Sequence, residues 1–440
     1  MKLKISERWK FGVALAAISA QVAAGPAAAF CGFYVAQADS KLFNKSSKVV
    51  LARDGKETAI TMASDYEGDA KEFALVVPVP TFIERKQIGV VDMKTIDHID
   101  AYSAPRLVEY TDEDPCNPPP QPSPMAVMAS AAARPIGLSA IVLPPHGVTI
   151  EANYDVGEYD VLILSAKESD GLVSWLTENG YKIPAGATSV LGSYIKQNMH
   201  FFVAKVNLDR MKLIGAGYLR PLQVRYQTAK FMLPLRLGTV NAEGPQDLVV
   251  YALTRNGRVE AVNYPNVKVP TGIDVPLYVK DEFGPFYKAT FDRVVAKANM
   301  RAAFVEYAWN MGNCDPCSAP PLSTNELVEL GARWIGDASE MPVSWGVPAY
   351  VTRLHVRYDA KSFPEDIAFE ETADQESFQG RYVLRHPWRG AGNCLAAQNY
   401  RAQLPAAFAE QADNLVALTG WARPEVEAKM AATGQAPKAR

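Results

Sequence analysis

The sequence has 440 residues and a formal net charge of −3, with 45 lysines and arginines against 48 aspartates and glutamates. This mild acidity, without a basic stripe, argues against nucleic acid and against an anionic membrane surface as partners. A hydrophobic content of 48% and a charged content of 21% are those of an ordinary folded protein, and the length suffices for two or three domains.

The N-terminus has the pattern of a secretory signal peptide. Four basic residues among the first ten precede an apolar run from Phe11 to Val22 and an alanine-rich site at Ala27–Ala29. Because the run is short for a bilayer span, we expect cleavage after Ala29 and export to the periplasm or the extracellular space. The alternative is an uncleaved anchor. No later apolar run has the length of a transmembrane helix, so none is expected after cleavage.

The remaining chain mixes strand-like and helix-like segments. Alternating or continuous apolar runs predict strands at 32–37, 47–53, 57–64, 73–79, 147–154, 160–166, 200–207, 218–227, 230–237, 247–253, 350–358 and 381–385. Helical spacing predicts helices at 91–102, 168–179, 187–197, 281–298, 323–334 and 393–418. Strands 218–227 and 230–237 are expected to form a long hairpin, and Pro405 should break or kink the last helix.

These segments come without a regular βαβ alternation, which favours an α+β fold with mostly antiparallel sheets and interspersed helices. We divide the chain into a signal peptide (1–29), an N-terminal α+β half (30–114), a Pro/Ala-rich linker or loop (115–140), a middle α+β segment (141–246), a second half with a Cys-x-x-Cys pair (247–392) and a C-terminal helix and tail (393–440).

Several features recur about 200 residues apart and suggest two related halves. A Val-Glu-Tyr triplet followed by Asp-Pro-Cys occurs after Leu107 and again after Phe304. The hairpin signals Asp54-Gly55 and Asn256-Gly257 follow similar apolar runs. A competing echo, between 222–226 and 354–358, has a different offset, so chance similarity of strands is the alternative interpretation.

All five cysteines lie beyond the signal: Cys31, Cys116, Cys314, Cys317 and Cys394. In an oxidising compartment cysteines usually pair, and five cannot all pair within one chain. We expect a Cys31–Cys116 disulfide that closes the N-terminal half, with the other three sharing a second bridge.

Familiar catalytic motifs are missing from the sequence: it has no Walker A loop, no nucleophile elbow, no His-Glu-x-x-His and no Gly-x-Gly-x-x-Gly after a strand. The sharpest chemical feature is Cys314-Asp315-Pro316-Cys317. This pair suits a structural disulfide or pairing with Cys394, a thiol-redox centre, or a metal site completed from Cys394, His355 and His386. Catalytic residues are unknown, and we expect no cofactor.

His386 lies in the segment Arg385–Arg389, where two arginines flank an imidazole and an indole. Such a surface could bind an anionic or aromatic ligand. We prefer the simpler interpretation, in which Trp388 packs under arginine stems.

Seven segments together resemble an exported bacterial family called domain of unknown function 2330. They are Cys31–Phe33, Asp112–Cys116, Gly244–Leu248, Val279–Phe283, Cys314–Cys317, Leu354–Tyr358 and Phe378–Trp388. The resemblance implies a bacterial envelope or secreted location and brings no activity, substrate or site residue.

The leading hypothesis is a non-enzymatic, disulfide-stapled envelope protein that binds or scaffolds an unidentified envelope ligand or protein. The alternative is a thiol-redox or metal-dependent activity centred on Cys314 and Cys317.

Overall fold

A computed structural model describes residues 33–36, 43–67, 73–117, 148–179, 181, 183–184, 186–213, 219–242, 244–313, 319–336 and 347–437. The predicted signal peptide, Cys31, most of the predicted linker and the Cys314/Cys317 pair lie outside these residues. The division into segments at the predicted boundaries therefore stays a prediction.

The part of the chain that the structure describes contains twenty strands and eight α-helices, which confirms the α+β class. The strands are β1 (Phe33–Ala36), β2 (Phe43–Asp54), β3 (Glu57–Glu67), β4 (Phe73–Val79), β5 (Ile88–Val90), β6 (Arg106–Thr111), β7 (Thr149–Val156), β8 (Tyr159–Ser165), β9 (His200–Val206), β10 (Leu222–Gln227), β11 (Met232–Leu233), β12 (Gln246–Thr254), β13 (Val259–Ala261), β14 (Asn266–Lys268), β15 (Ile273–Val275), β16 (Ala303–Asn310), β17 (Tyr350–Tyr358), β18 (Ile367–Glu371), β19 (Phe378–Gln379) and β20 (Arg381–His386). The helices are α1 (Met93–Ser103), α2 (Ser169–Glu178), α3 (Ala187–Ile195), α4 (Leu208–Leu213), α5 (Phe283–Lys297), α6 (Thr324–Glu329), α7 (Leu395–Thr419) and α8 (Arg423–Ala432).

The largest sheet has the order β14-β16-β17-β12-β2-β3-β10-β5, with β19 paired to β16. Its centre is the parallel pair of β2 and β12, and antiparallel β3 and β17 flank this pair. Val49 to Ala52 of β2 are almost fully buried, with Val49 and Leu51 in one core cluster and Val50 and Ala52 in another. Since successive side chains point to opposite faces, both faces of this sheet are covered.

A five-stranded antiparallel sheet, β1-β4-β9-β8-β7, packs on one face of the large sheet through Val77, Val161 and Phe202. Its outer face carries α2 and α3, which contribute Leu172 and Leu191 to a separate apolar cluster. On the other face of the large sheet, α1 and α6 cover the cluster around Val50. The fold is therefore layered, with two stacked sheets between helices.

A smaller three-stranded sheet, β15-β20-β6, is parallel throughout. Helices α5, α7 and α8 pack against it, and Tyr382 of β20 meets Phe286 and Phe408 in its core. The sequence did not predict this sheet, because its three strands come from distant parts of the chain. It positions the cleft described below.

The structure contradicts one local prediction, and of the predicted break or kink at Pro405 it excludes only the break. The expected hairpin of 218–227 with 230–237 does not form, because β10 pairs with β3 and β5 while β11 pairs with β18. Pro405 does not break α7, which continues from Leu395 to Thr419. The carbonyl that loses its helical donor is that of exposed Arg401, where water can replace the missing hydrogen bond.

The two proposed halves have a similar order of strands and helices, but their corresponding strands pair with different partners. The Asp54-Gly55 turn joins β2 to β3 as predicted, with Gly55 at a φ of 57°. After Asn256-Gly257, however, β13 pairs with β18 and not with β12. The two Val-Glu-Tyr triplets also lie in different sheets, in β6 and β16.

A buried carboxylate joins the helices to the large sheet. Glu306 occupies a register shift between β16 and β17 and is fully buried. Its carboxylate accepts hydrogen bonds from Arg353 Nε (2.5 Å), His355 Nδ1 (2.8 Å) and the Tyr287 hydroxyl of α5. A β-bulge re-aims its side chain, which here turns a charged group inward onto three donors.

The same arginine reaches α1. Arg353 Nη1 donates to Asp100 Oδ1 at 2.5 Å, and Asp100 also accepts from the Tyr251 hydroxyl and pairs with Lys48, each at 2.7 Å. Burial alone would raise the pKa of Glu306, but the positive charges of His355 and Arg353 outweigh it and lower that pKa to about 2. Burial lowers the pKa of His355, and Glu306 and Asp247 reverse this so that the pKa is raised.

A disulfide joins Cys116, in the loop after β6, to Cys394, the N-cap of α7, with a Cα–Cα distance of 6.0 Å. The expected Cys31–Cys116 bridge is therefore wrong in this structure, and Cys394 is not shared with Cys314 and Cys317. The reason is topological, because parallel pairing of β6 with β20 brings the segments that follow both strands to the same edge.

We expect Glu306→Gln to lower the free energy of unfolding by about 3–5 kcal/mol at neutral pH, because it leaves buried cations unpaired. Glu306 stabilises the native state fully above its ordinary pKa of 4.5, and this stability is lost as pH falls towards 2. The contribution of His355 to the free energy of unfolding is fully present below its ordinary pKa of 6.5. It is lost as pH rises through the raised pKa of His355 in the native state.

Urea unfolding of wild type and Glu306→Gln across this pH range measures both effects, with exposed Glu410→Gln as the control. A loss no larger than that of the control, or an unchanged pH dependence, would contradict the role assigned to Glu306.

We expect Cys116→Ser to lower the free energy of unfolding of oxidised protein by about 2–5 kcal/mol, because the bridge closes a loop of 278 residues. A reductant should destabilise wild type by the same amount and leave this variant unchanged. Cys31→Ser is the control, and an equal loss in that variant would restore the Cys31–Cys116 pairing.

Candidate binding cleft

A surface cleft of about 560 Å³ lies at the carboxyl ends of the parallel strands β6 and β20. Its lining residues are Glu109 and Thr111 of β6, His386 at the end of β20, and Pro387, Trp388 and Arg389 after it. Thr111 and His386 are register partners, so the two strands end side by side. In open α/β proteins this is the edge at which ligands bind, because the connecting loops diverge there.

The carboxylate in the cleft is already neutralised. Glu109 Oε2 accepts from His386 Nε2 at 2.7 Å, and Oε1 pairs with Lys280 Nζ at 2.7 Å. These hydrogen bonds, from Lys280 first and His386 second, lower the pKa of Glu109. Glu109 therefore holds His386 in place and leaves little negative charge for a ligand.

Trp388 forms a packed wall of the cleft. The Arg401 guanidinium lies 5.1 Å from the indole centroid, and the Tyr400 ring meets the indole edge-on at 6.2 Å. A Cβ at Gly390 would lie 2.3 Å from the indole, so only glycine allows the loop to cross it this closely. The indole therefore packs beneath an arginine, the role that the sequence interpretation preferred.

Arg389 supplies the uncompensated charge. It is exposed, and it forms no ion pair with any other residue that the structure describes. Nearby Arg385, in contrast, pairs with Asp274 at 3.0 Å and Asp112 at 3.5 Å. The cleft thus combines one available guanidinium with the Thr111 hydroxyl, and these two donors suit an anionic ligand.

The predicted metal ligands are not assembled by the described residues. His386 binds Glu109 in the cleft, whereas His355 stacks on Phe291 with ring centroids 3.7 Å apart and binds Glu306. Cys394 is in the disulfide. Within the described ranges no group of three or more His, Cys, Asp and Glu residues could hold a metal ion. Cys314 and Cys317 lie outside those ranges, so their own role stays a prediction.

Sequence reasoning singled out His386 but missed Glu109, Thr111 and Lys280. In the sequence, Glu109 stands out only as part of the repeated Val-Glu-Tyr triplet. No spacing rule links it to residues 280 and 386, because the three come together only through the pairing of β6 with β20 and the short 3-10 turn Leu277–Lys280.

Among the helices that the structure describes, none has both the length and the hydropathy of a membrane span. A comparison with protein families matched residues 25–370 to the family described as "Uncharacterized protein conserved in bacteria (DUF2330)". No curated protein and no solved structure matches the chain. The matched segment includes Glu109 and ends before His386. Since it covers most of the sequence, the chain belongs to this bacterial family, DUF2330.

Proposed function

We propose that the protein is an exported component of the bacterial envelope that binds an anionic ligand in the cleft and does not catalyse a reaction. The observation that carries this proposal is Arg389, an exposed guanidinium beside a carboxylate that is paired with Lys280 and hydrogen-bonded by His386. An anion that enters the cleft meets a net positive charge and fixed hydrogen-bonding groups.

A binding role fits the groups in the cleft better than catalysis does. Thr111 provides the hydroxyl of the lining, and no hydrogen bond between it and His386 occurs among the described residues. Among the described residues no hydroxyl or thiol hydrogen-bonds the His386 ring, so the Glu109–His386 pair lacks the nucleophile that an acyl-transfer site requires.

Export is supported by the basic and apolar N-terminal pattern and by the Cys116–Cys394 disulfide, a bond that persists in oxidising compartments. A second proposal keeps the redox or metal activity at Cys314 and Cys317. It is favoured by the commitment of Cys394 to Cys116, which leaves these two thiols available to one another.

We expect the exported chain to begin at Phe30 when the full-length gene is expressed in a bacterial host and the envelope fraction is sequenced from its N-terminus. Recovery of a chain that retains residues 1–29 would favour the uncleaved anchor. Recovery in the cytoplasmic fraction alone would contradict export.

We expect Arg389→Gln to weaken binding of phosphate and citrate, used as probe anions, by roughly fivefold, since an exposed ionic contact is worth about 1 kcal/mol. NMR titration of nitrogen-labelled protein measures both affinities. Arg381→Gln, at the opposite, amino end of β20, is the control for loss of one positive charge away from the cleft. No binding of either anion by wild type, or equal losses in both variants, would contradict the proposal.

A further inference from the structure

A second cavity, of about 500 Å³, lies between the end of α3 and the three-stranded sheet β11-β18-β13. We call it the Asp366 pocket. Its apolar floor is formed by Phe231 and Phe369, whose ring centroids are 5.4 Å apart. A cavity of this size, with an aromatic floor and a few polar groups, is suited to a small organic molecule. None of the described residues lines both this pocket and the cleft.

Asp366 is fixed in the wall of this pocket by one oxygen. Its Oδ1 accepts from the Tyr194 hydroxyl (2.7 Å), from Leu235 N (2.9 Å) and from Arg236 N (3.1 Å). None of the described donors reaches Oδ2, which is therefore the acceptor available to a ligand. Burial raises the pKa of Asp366, against the lowering effect of those hydrogen bonds and of the nearby positive charge of Arg236. A cationic ligand partner would restore the charge stabilisation that burial removes.

Two cations line the same pocket without a carboxylate ion pair to any described residue. Arg236 Nη1 donates to the Ser193 hydroxyl at 2.8 Å, and Lys230 Nζ donates to the Gln197 amide oxygen at 3.2 Å. Both positive groups make neutral hydrogen bonds, although Asp366 and Glu365 are also in the lining. Positive and negative groups are therefore held in one pocket without neutralising each other by direct contact.

From this arrangement we infer that the Asp366 pocket binds a small zwitterion with an apolar body, such as a free α-amino acid or a dipeptide. The ligand carboxylate pairs with Arg236 and Lys230, the ammonium donates to Asp366 Oδ2, and the apolar side chain lies on Phe231 and Phe369. Charge-assisted contacts at both ends of one molecule discriminate against ligands that carry only one of the two charges.

Calorimetric titration of the full chain with three probes tests this inference. L-phenylalanine carries both charges, phenethylamine carries only the ammonium, and hydrocinnamate carries only the carboxylate. We expect L-phenylalanine to bind at least about tenfold more tightly than either analogue, since each charged contact contributes a comparable factor. Undetectable binding of L-phenylalanine at millimolar concentration, or equal affinities for the three probes, would overturn the inference.

Two variants test which pocket residue binds the ammonium and which binds the carboxylate of the ligand. Asp366→Asn, which preserves the Oδ1 acceptor, should weaken L-phenylalanine and phenethylamine about tenfold and leave hydrocinnamate unchanged. Arg236→Gln should weaken L-phenylalanine and hydrocinnamate and leave phenethylamine unchanged. Losses that do not follow the charge of the probe would overturn the assignment.

Lys230→Gln tests the carboxylate end of the ligand at an exposed position, whether or not Asp366→Asn folds, with neighbouring exposed Lys196→Gln as its control. Lys230→Gln should weaken hydrocinnamate and the control should not; equal affinities in the two variants would contradict the role of Lys230. Arg389→Gln should leave L-phenylalanine binding unchanged, so failure of this inference is distinguishable from failure of the proposed anion cleft.

Discussion

The charge on buried Glu306 is the constraint on which the large sheet depends. A carboxylate without contact to solvent is tolerated only if donors surround it, and Arg353, His355 and Tyr287 provide them from β17 and α5. Arg353 in turn holds Asp100 of α1. A single inward-facing side chain therefore fixes the positions of two helices relative to the sheet, which apolar packing alone specifies less sharply.

This cluster differs from the two cavities in how its charges are used. Each carboxylate oxygen of Glu306 meets a donor inside the protein, so the cluster has no capacity left for a ligand. In the cleft Arg389, and in the Asp366 pocket Arg236 with Lys230, carry charge that no described carboxylate pairs with. The same residue types thus have a structural role where they are satisfied and are available to a ligand where they are not.

Local patterns predicted most elements of the fold. Apolar periodicity placed α2, α3, α5 and the long strands within a few residues, and the Ser323–Glu326 capping box begins α6 as expected. Pairing between distant strands carries no local signal in the sequence. The sequence therefore could not predict the parallel sheet or the partner of Cys116, and it wrongly predicted a hairpin between 218–227 and 230–237. The sequence indicated only part of the cleft: it singled out His386 as a candidate, but the role of Glu109 follows only from its contact with His386 in the folded structure.

The parallel pairing of β2 with β12 also governs when the chain can fold. Val50 of β2 pairs with Tyr251 of β12, which follows some two hundred residues later in the chain. The other edge of β12 pairs with β17, which is synthesised later still. Closing such long loops precedes any gain from the contacts, which slows folding and leaves early apolar strands open to wrong partners. The large sheet therefore cannot be completed by the first half of the chain alone, because its central strand β2 pairs with β12 from the second half.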